Sequence, residues 1–253
     1  MGTDHKTYSH GNAPTGVKQA KHGPLAWLWG LLDLLFPRHC AMCGEVLEEW
    51  EEGLCLRCLV GLQGSDYHFK AREPVEDALI GWFPVVRATA YLPFQRDGVR
   101  AMVHHMKYHG RKDVCRLVGR VMARRLSEGG FFEGMDAVMP VPLHPRKERK
   151  RGYNQSLELA RGIAEVTGME LLTDAVVKCR HTGSQTRLSD EARRVNVANA
   201  FRVSRPERLQ GRHVLIVDDV LTTGATLAAC GTAVTAGAEG VRVSVLALTK
   251  ARD

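Results

Sequence analysis

The sequence predicts an α/β fold, a parallel sheet flanked by helices, preceded by a small cysteine-rich knuckle. Three observations carry the prediction. From residue 79 onward, short β-branched runs alternate with helical stretches. One such run, Val214-Leu-Ile-Val, leads directly into two aspartates and a Thr/Gly turn. Upstream of the alternation stand two Cys-x-x-Cys pairs. Strands joined by helix-length connections imply right-handed crossovers and a parallel sheet covered on both faces. At 44% hydrophobic and 25% charged residues, the 253-residue chain has the composition of a soluble globular protein, which excludes wholesale disorder. Thirty-five Lys and Arg against 28 Asp and Glu leave +7, a balance that suits phosphate-bearing ligands or nucleic acid without selecting either.

In chain order, residues 1–24 are polar, with irregularly spaced His5, His10 and His22, and read as a disordered leader. Leu25 to Phe36 is an apolar run interrupted by Asp33. A bilayer span needs ~20 residues, so no transmembrane segment is expected there. Pro37-Arg38-His39-Cys40 also lacks a small-residue cleavage site. The run is expected to form a short amphipathic helix in a cytoplasmic protein. It belongs with the cysteine module as residues 25–62, followed by a polar linker, 63–78, and the main domain, 79–253. Within that domain, strands are expected at Val85–Leu92, Ala137–Leu143, Ala175–Cys179, Ala200–Val203, Val214–Val217 and Val241–Leu248. Helices are expected at Asp113–Leu126, Asn154–Thr167 and Gly224–Ala236, with a basic loop after Leu143.

Cys40, Cys43, Cys55 and Cys58 follow the spacing C-x2-C-x11-C-x2-C. Two knuckles of two thiolates each are what tetrahedral Zn²⁺ requires, and four protein ligands leave no position for a catalytic water, so the role reads as structural. Cys115, Cys179 and Cys230 are scattered; an odd total of seven argues for a reducing compartment and against a disulfide framework. The loop between the pairs carries Glu45, Glu48, Glu49, Glu51 and Glu52 with no Lys or Arg. Such a loop repels phosphates, so folding support or a protein partner is the expected role of the module.

The segment Val214 to Thr226 places Asp218 and Asp219 at the carboxyl end of a buried strand, where ligands collect in open α/β sheets. Thr222-Thr223-Gly224-Ala225-Thr226 then opens a helix, offering N–H groups and hydroxyls to a phosphate. The carboxylates suit the hydroxyls of a ribose, or a Mg²⁺ ion beside it, so a ribose 5-phosphate is the ligand this arrangement suggests.

This segment closely resembles the 5-phosphoribosyl 1-diphosphate (PRPP) motif of type I phosphoribosyltransferases. Met139-Pro140-Val141-Pro142 and the loop after it resemble that fold's pyrophosphate loop. The run Pro140 to Gln155, with Met106 to Lys112 and Arg180 to Asn196, is similar to the ComF family of phosphoribosyltransferase-like proteins linked to bacterial competence; the four-cysteine module recurs there too. The resemblance implies a type I phosphoribosyltransferase fold behind a zinc knuckle, with PRPP and Mg²⁺ as ligands. It implies catalytic roles for Asp218, Asp219, Arg180 and Gln185. Thr222, Thr223, Gly224, Ala225 and Thr226, together with Lys107, Arg146 and Arg151, would bind phosphate. Arg180 to Asn196 reads as a mobile loop closing over PRPP.

Arg146, Lys147, Arg149, Lys150 and Arg151 stand beside the expected pyrophosphate pocket. They can neutralise a diphosphate leaving group or hold a nucleic-acid backbone, and the sequence leaves both open. Single-stranded DNA is expected at Arg111, Lys112, Arg149 and Lys150, and competence-machinery proteins at the zinc module. His104 and His105 read as a helix face. Aromatics make up 6% of the chain, and Trp27, Trp29, Trp50 and Trp82 read as core or partner anchors, not base-stacking platforms. Two functions follow: a competence factor handling incoming single-stranded DNA, and an enzyme transferring ribose phosphate from PRPP to an unidentified base or amine.

Overall fold

The computed structural model describes residues 37–63, 66–70, 72–179 and 200–251. The expected leader, the 25–36 helix with Trp27 and Trp29, and the loop with Arg180 and Gln185 lie outside the described residues. The chain enters through the cysteine knuckle into α1 (Leu56–Gln63), α2 (Tyr67–Lys70) and α3 (Arg72–Asp77), then β1 (Val85–Pro93). Helices α4 (Val99–Tyr108) and α5 (Lys112–Glu128) lead to β2 (Ala137–Pro140). Helices α6 (Pro145–Arg151) and α7 (Gln155–Thr167) lead to β3 (Glu170–Leu171), then β4 (Val176–Lys178) and β5 (Phe201–Val203). The chain ends with β6 (His213–Leu221), α8 (Ala225–Gly237) and β7 (Arg242–Lys250).

Five strands form one parallel sheet in the order β1-β7-β6-β2-β3. A parallel sheet is buried on both faces, which explains why its strands read as continuous apolar runs. Val214 and Ile216 pack on one side with Val243, Val245 and α8; Leu215 and Val217 pack on the other with Leu246, Leu248, α5 and α7. Val114, Val118, Val121, Met122 and Leu126 line the buried stripe of α5 at helical spacing. Asn154 caps α7, its side-chain oxygen accepting from Ser156 N at 3.0 Å.

Four features differ from the sequence expectation. β2 stops at Pro140 instead of Leu143 because Pro140 and Pro142 have no N–H to donate to a ladder. The basic loop is a helix, α6, with Pro145 in its first turn and His144 as N-cap. β4 and β5 stand apart as an antiparallel pair. The expected linker contains α2 and α3, with Val75 and Leu79 fully buried beside β1.

The knuckle shares the core instead of standing off it. Cys40, Ala41, Leu47, Leu54 and Cys55 belong to the same buried cluster as Val114 and Val118 of α5. Tyr91 of β1 donates to Leu62 O at 2.8 Å, and Arg111 donates to His39 O at 3.2 Å. Glu51 is buried, accepting from Leu56 N at 2.6 Å and Glu48 N at 2.9 Å, and so caps α1. Glu45 pairs with Arg57 and Glu52 with Arg120. Much of the acidic loop is therefore structural, and Glu48 and Glu49 are exposed.

Candidate functional site

Strand β2 pairs with β6 up to Pro140–Val217, while β6 continues beside β7 to Leu221–Lys250. Asp218 and Asp219 therefore lie inside β6 but past the end of β2, at the edge of a crevice at the strands' carboxyl ends. Successive strand residues face opposite ways. Asp219 meets α4, where Lys107 Nζ is 3.2 Å from its Oδ2, with side-chain exposures of 21% and 12%. Asp218 lies toward α8 and β4, where it acts electrostatically on Cys230 and Lys178. Its Oδ1 accepts from Ser156 Oγ at 2.8 Å and from Asp219 N at 2.8 Å.

Burial and the neighbouring Asp219 push the Asp218 carboxyl up to about 7, against the opposing pull of the Ser156 hydroxyl, the Asp219 N–H and Lys107. Asp218 is thus a carboxyl able to hold or release a proton near neutrality. Lys178, partly buried with its Nζ 4.8 Å from the Phe201 ring, is shifted the other way: burial and Lys147 lower its pKa. Lys147 and Lys178 thus bring two positive charges to the side of the sheet where Asp218 lies.

After Leu221, Thr222 and Thr223 are exposed and Gly224 is the N-cap of α8 with no side-chain cap. Gly224 has φ 79°, and a Cβ there would sit 3.0 Å from Ala78 O, so the turn requires glycine. The first N–H groups of α8 thus face the end of β6 without a capping side chain, the arrangement that binds anions. Thr226 is exposed and Ala225 partly so in that first turn.

The segment from Arg151 to Ser156 braces these parts. Tyr153 OH and Gln155 Nε2 both donate to Met106 O, the latter at 3.3 Å. Asn154 Nδ2 donates to Val141 O at 3.0 Å, holding the chain after β2. Arg151 donates to Gln155 Oε1 at 2.9 Å and lies 5.9 Å from the Tyr108 ring. Arg146, Arg149 and Lys150 are exposed on α6. Arg111 is already engaged: its guanidinium grips the Asp113 carboxylate at 2.8 to 3.1 Å as well as His39 O. Lys112 is exposed, its Nζ 5.5 Å from the Tyr153 ring.

Thus Asp219 and Lys107 meet through a short contact beside Asp218, Arg151 is joined to them only indirectly, through Gln155 and α4, and Thr222 to Thr226 follow directly from β6. Ser156 and Lys178 were missed by the sequence reading. Ser156 carried a signal in following a capping Asn154; Lys178 carried a weaker one, a lone lysine closing a β-branched run.

At the knuckle, the ligand atoms of Cys40, Cys43, Cys55 and Cys58 all lie within 4.8 Å of one another. Tetrahedral metal–thiolate bonds of ~2.3 Å place sulfurs ~3.8 Å apart, so the four thiols fit a single metal ion. Burial and neighbouring thiols push Cys55 and Cys58 up, a cost that a cation among them removes.

Several known proteins are similar to this chain in sequence. The phosphoribosyl transferase domain family matches residues 154–252. DNA utilization protein YhgH of Escherichia coli (strain K12) is 29% identical over 192 residues, 75% of this chain and 80% of that protein. Its counterpart in Salmonella typhimurium is 31% identical over the same shares. Competence protein F of Haemophilus influenzae is 40% identical over 197 residues, 76% of each chain. Among solved structures, the allosteric regulatory enzyme of purine biosynthesis is similar with a TM-score of 0.38 and 22% identity, over 56% of this chain and 29% of that one.

Proposed function

The chain belongs to the ComF family of competence-associated proteins with a phosphoribosyltransferase domain, and from that premise we propose that it serves DNA uptake, handling incoming single-stranded DNA in the cytoplasm and binding PRPP. The relatives named for competence and DNA utilization support the role. No helix among the described residues is long and apolar enough to cross a membrane.

The observation that carries the ligand is the crevice past β2, with Asp218 and Asp219 on the strand and the uncapped turn Thr222 to Thr226 beyond it. In this reading the turn takes the 5-phosphate and the carboxylates take ribose hydroxyls, or Mg²⁺ held with the diphosphate. Lys107, Lys147 and Lys178 supply positive charge around them. Calorimetry with PRPP and Mg²⁺ tests it. Asp218→Ala/Asp219→Ala is expected to weaken binding at least about tenfold, the effect of losing one charged contact of ~1.4 kcal/mol or more. Equal affinity for both proteins places the ligand elsewhere.

A second reading, a phosphoribosyltransferase acting on a base or amine, is favoured by Asp218. A carboxyl titrating at about 7 is matched to general acid–base work at neutral pH. Pyrophosphate release from PRPP, with and without single-stranded DNA or free bases, separates the readings: turnover with an acceptor supports the enzyme, and tight PRPP binding without turnover supports a ligand-responsive DNA factor.

We assign zinc as the knuckle's metal, since four thiolates at this spacing favour it. Metal analysis of protein purified under reducing conditions is expected to give one equivalent. The knuckle remains the surface we propose for competence-machinery proteins.

A further inference from the structure

The end of α4 carries a group of rings that the PRPP site does not use. His104 and Tyr108 stand one helical turn apart with ring centroids 4.8 Å apart. His109 caps the helix, with its ring 4.7 Å from His105 and 5.4 Å from His104. These rings are not packed away. Tyr108 is 65% exposed, and His104 and His109 are exposed as well, with His105 partly buried beneath them. One cation borders the group and others are exposed on the neighbouring helices. The Arg151 guanidinium lies 5.9 Å from the Tyr108 ring, Lys112 is exposed at the start of α5, and Arg149 and Lys150 are exposed on α6.

We propose that His104, Tyr108 and His109 form a stacking platform for the unpaired bases of single-stranded nucleic acid, with Arg151 and Lys112 meeting the adjoining phosphates. The inference rests on the nucleic-acid reading above and adds the surface and its mode of recognition. An exposed row of π-faces bordered by cations is the combination that binds single strands: stacking is tolerant of sequence because every base has a π-face, and the cations track the backbone. A duplex hides those faces, so the platform selects unpaired strands. The chain's low aromatic content is no obstacle here, because two of the three rings are imidazoles. Lys107, between His104 and Tyr108 in sequence, turns instead to Asp219, so one helix end serves both sites. The platform is therefore adjacent to the PRPP crevice; its three rings are not part of that site, and Arg151, beside Tyr108, is the side chain the two have in common.

The test compares an oligothymidylate of about a dozen nucleotides with an abasic strand of the same length, by fluorescence anisotropy of a labelled end on the full chain. Phosphates are equal in the two probes; bases differ. The wild type is expected to bind the thymidylate at least about tenfold more tightly, the size of one or more stacked bases. Tyr108→Ala is expected to abolish most of that preference while leaving the salt dependence of abasic-strand binding unchanged, and Tyr108→Phe to retain it. His104→Ala is expected to reduce the preference by a smaller factor. Tyr108 and His104 are exposed, so these variants keep the fold, and unchanged PRPP binding verifies it. Equal wild-type affinity for the two strands, or a preference that survives Tyr108→Ala, overturns the platform while leaving DNA binding by phosphates standing. Failure of the wild type to bind either strand overturns both this inference and the nucleic-acid reading on which it rests.

Discussion

In the knuckle, four sulfurs come from one short stretch, Cys40 to Cys58, and lie within 4.8 Å of one another. At the carboxylate crevice, Asp219 is met by Lys107 of α4, and Asp218 by Ser156, 62 positions upstream. The first site is local in sequence and the second is assembled by the whole sheet. Their relation to stability runs the other way. The local knuckle is wedged into the core, with Cys40, Ala41 and Leu54 almost fully buried. The crevice lies at the open end of the sheet, with Thr222 and Thr223 exposed. A local motif can thus be a global support, and a globally assembled site can be a replaceable surface.

Metal removal breaks the comparison most strongly if it is wrong. Four closely spaced thiols depend on the ion for their arrangement, and their neighbours Ala41, Leu47 and Leu54 fill the cluster against α5. Chelation, or Cys58→Ser, is expected to remove more than about 5 kcal/mol from a total stability of order 5–15 kcal/mol. Thermal unfolding followed by circular dichroism should show one transition moving down as a whole. A separate low-temperature knuckle transition, with the sheet's transition unmoved, would mean that the knuckle is an appendage.

Two glycines separate the roles of the two regions. Gly53 has φ 72°, and a Cβ there would fall 2.8 Å from Val114 Cγ2, at the seam of knuckle and core. Gly53→Ala combines left-handed strain with overpacking, about 3 kcal/mol together, and should leave PRPP affinity intact in the folded fraction. Gly224→Ala meets backbone, Ala78 O, at the mouth of α8. It is expected to cost less stability, about 1–2 kcal/mol, but to weaken PRPP binding at least about tenfold by shifting the N–H groups. Denaturant melts and calorimetry on the same two proteins decide it; a shared pattern of losses would show that the regions are not separable.

How much of this was legible follows the same division. The cysteines and the Val214 to Thr226 run announce themselves by spacing and hydrophobicity, which are local properties. Ala137 to Pro140 and β7 were readable as buried apolar runs for the same reason. What escaped was either signalled but outweighed, or wholly non-local. Helix α6 was read as a loop because its charge density overshadowed Pro145 and Gly152, its start and stop signals. Lys107 was assigned to phosphate, and no local pattern could show that it pairs with Asp219. Glu51 read as one more acid in an acidic loop, yet it is buried and caps α1.

Asp218 sharpens the contrast through pH. In the folded chain its carboxyl holds a proton up to about 7, whereas an unfolded aspartate loses it near ~3.9. Between those values the native state binds more protons than the unfolded state, so Asp218 makes stability fall as pH rises through that window and level off above it. Asp218→Asn keeps an oxygen for the Ser156 hydroxyl and the Asp219 N–H but cannot ionise. Variant and wild type are expected to be about equal near pH ~4, with the variant more stable by up to about 4 kcal/mol at pH ~8. Denaturant melts across pH measure the difference. A constant gap would show that water and Lys107 already neutralise the cost, and that the crevice resembles an ordinary surface.

The smallest expected effect tests the seam itself. Arg111 and Lys112 adjoin in sequence and were grouped as contacts to DNA, but their surroundings differ. The Arg111 guanidinium is held by both oxygens of Asp113 and donates to His39 O in the knuckle. To meet a phosphate it must give up these partners, whereas Lys112 is exposed with its ammonium near the Tyr153 ring. A partly exposed ion pair is worth under about 1 kcal/mol, so Arg111→Ala is expected to lower stability by no more than that. In salt titrations of single-stranded DNA binding, Lys112→Ala should flatten the slope of log affinity against log salt by about 0.7, the release of one phosphate's counterions, and Arg111→Ala should leave it unchanged. A matching loss in Arg111→Ala would mean that DNA competes with the knuckle for that guanidinium, making the seam part of the nucleic-acid surface.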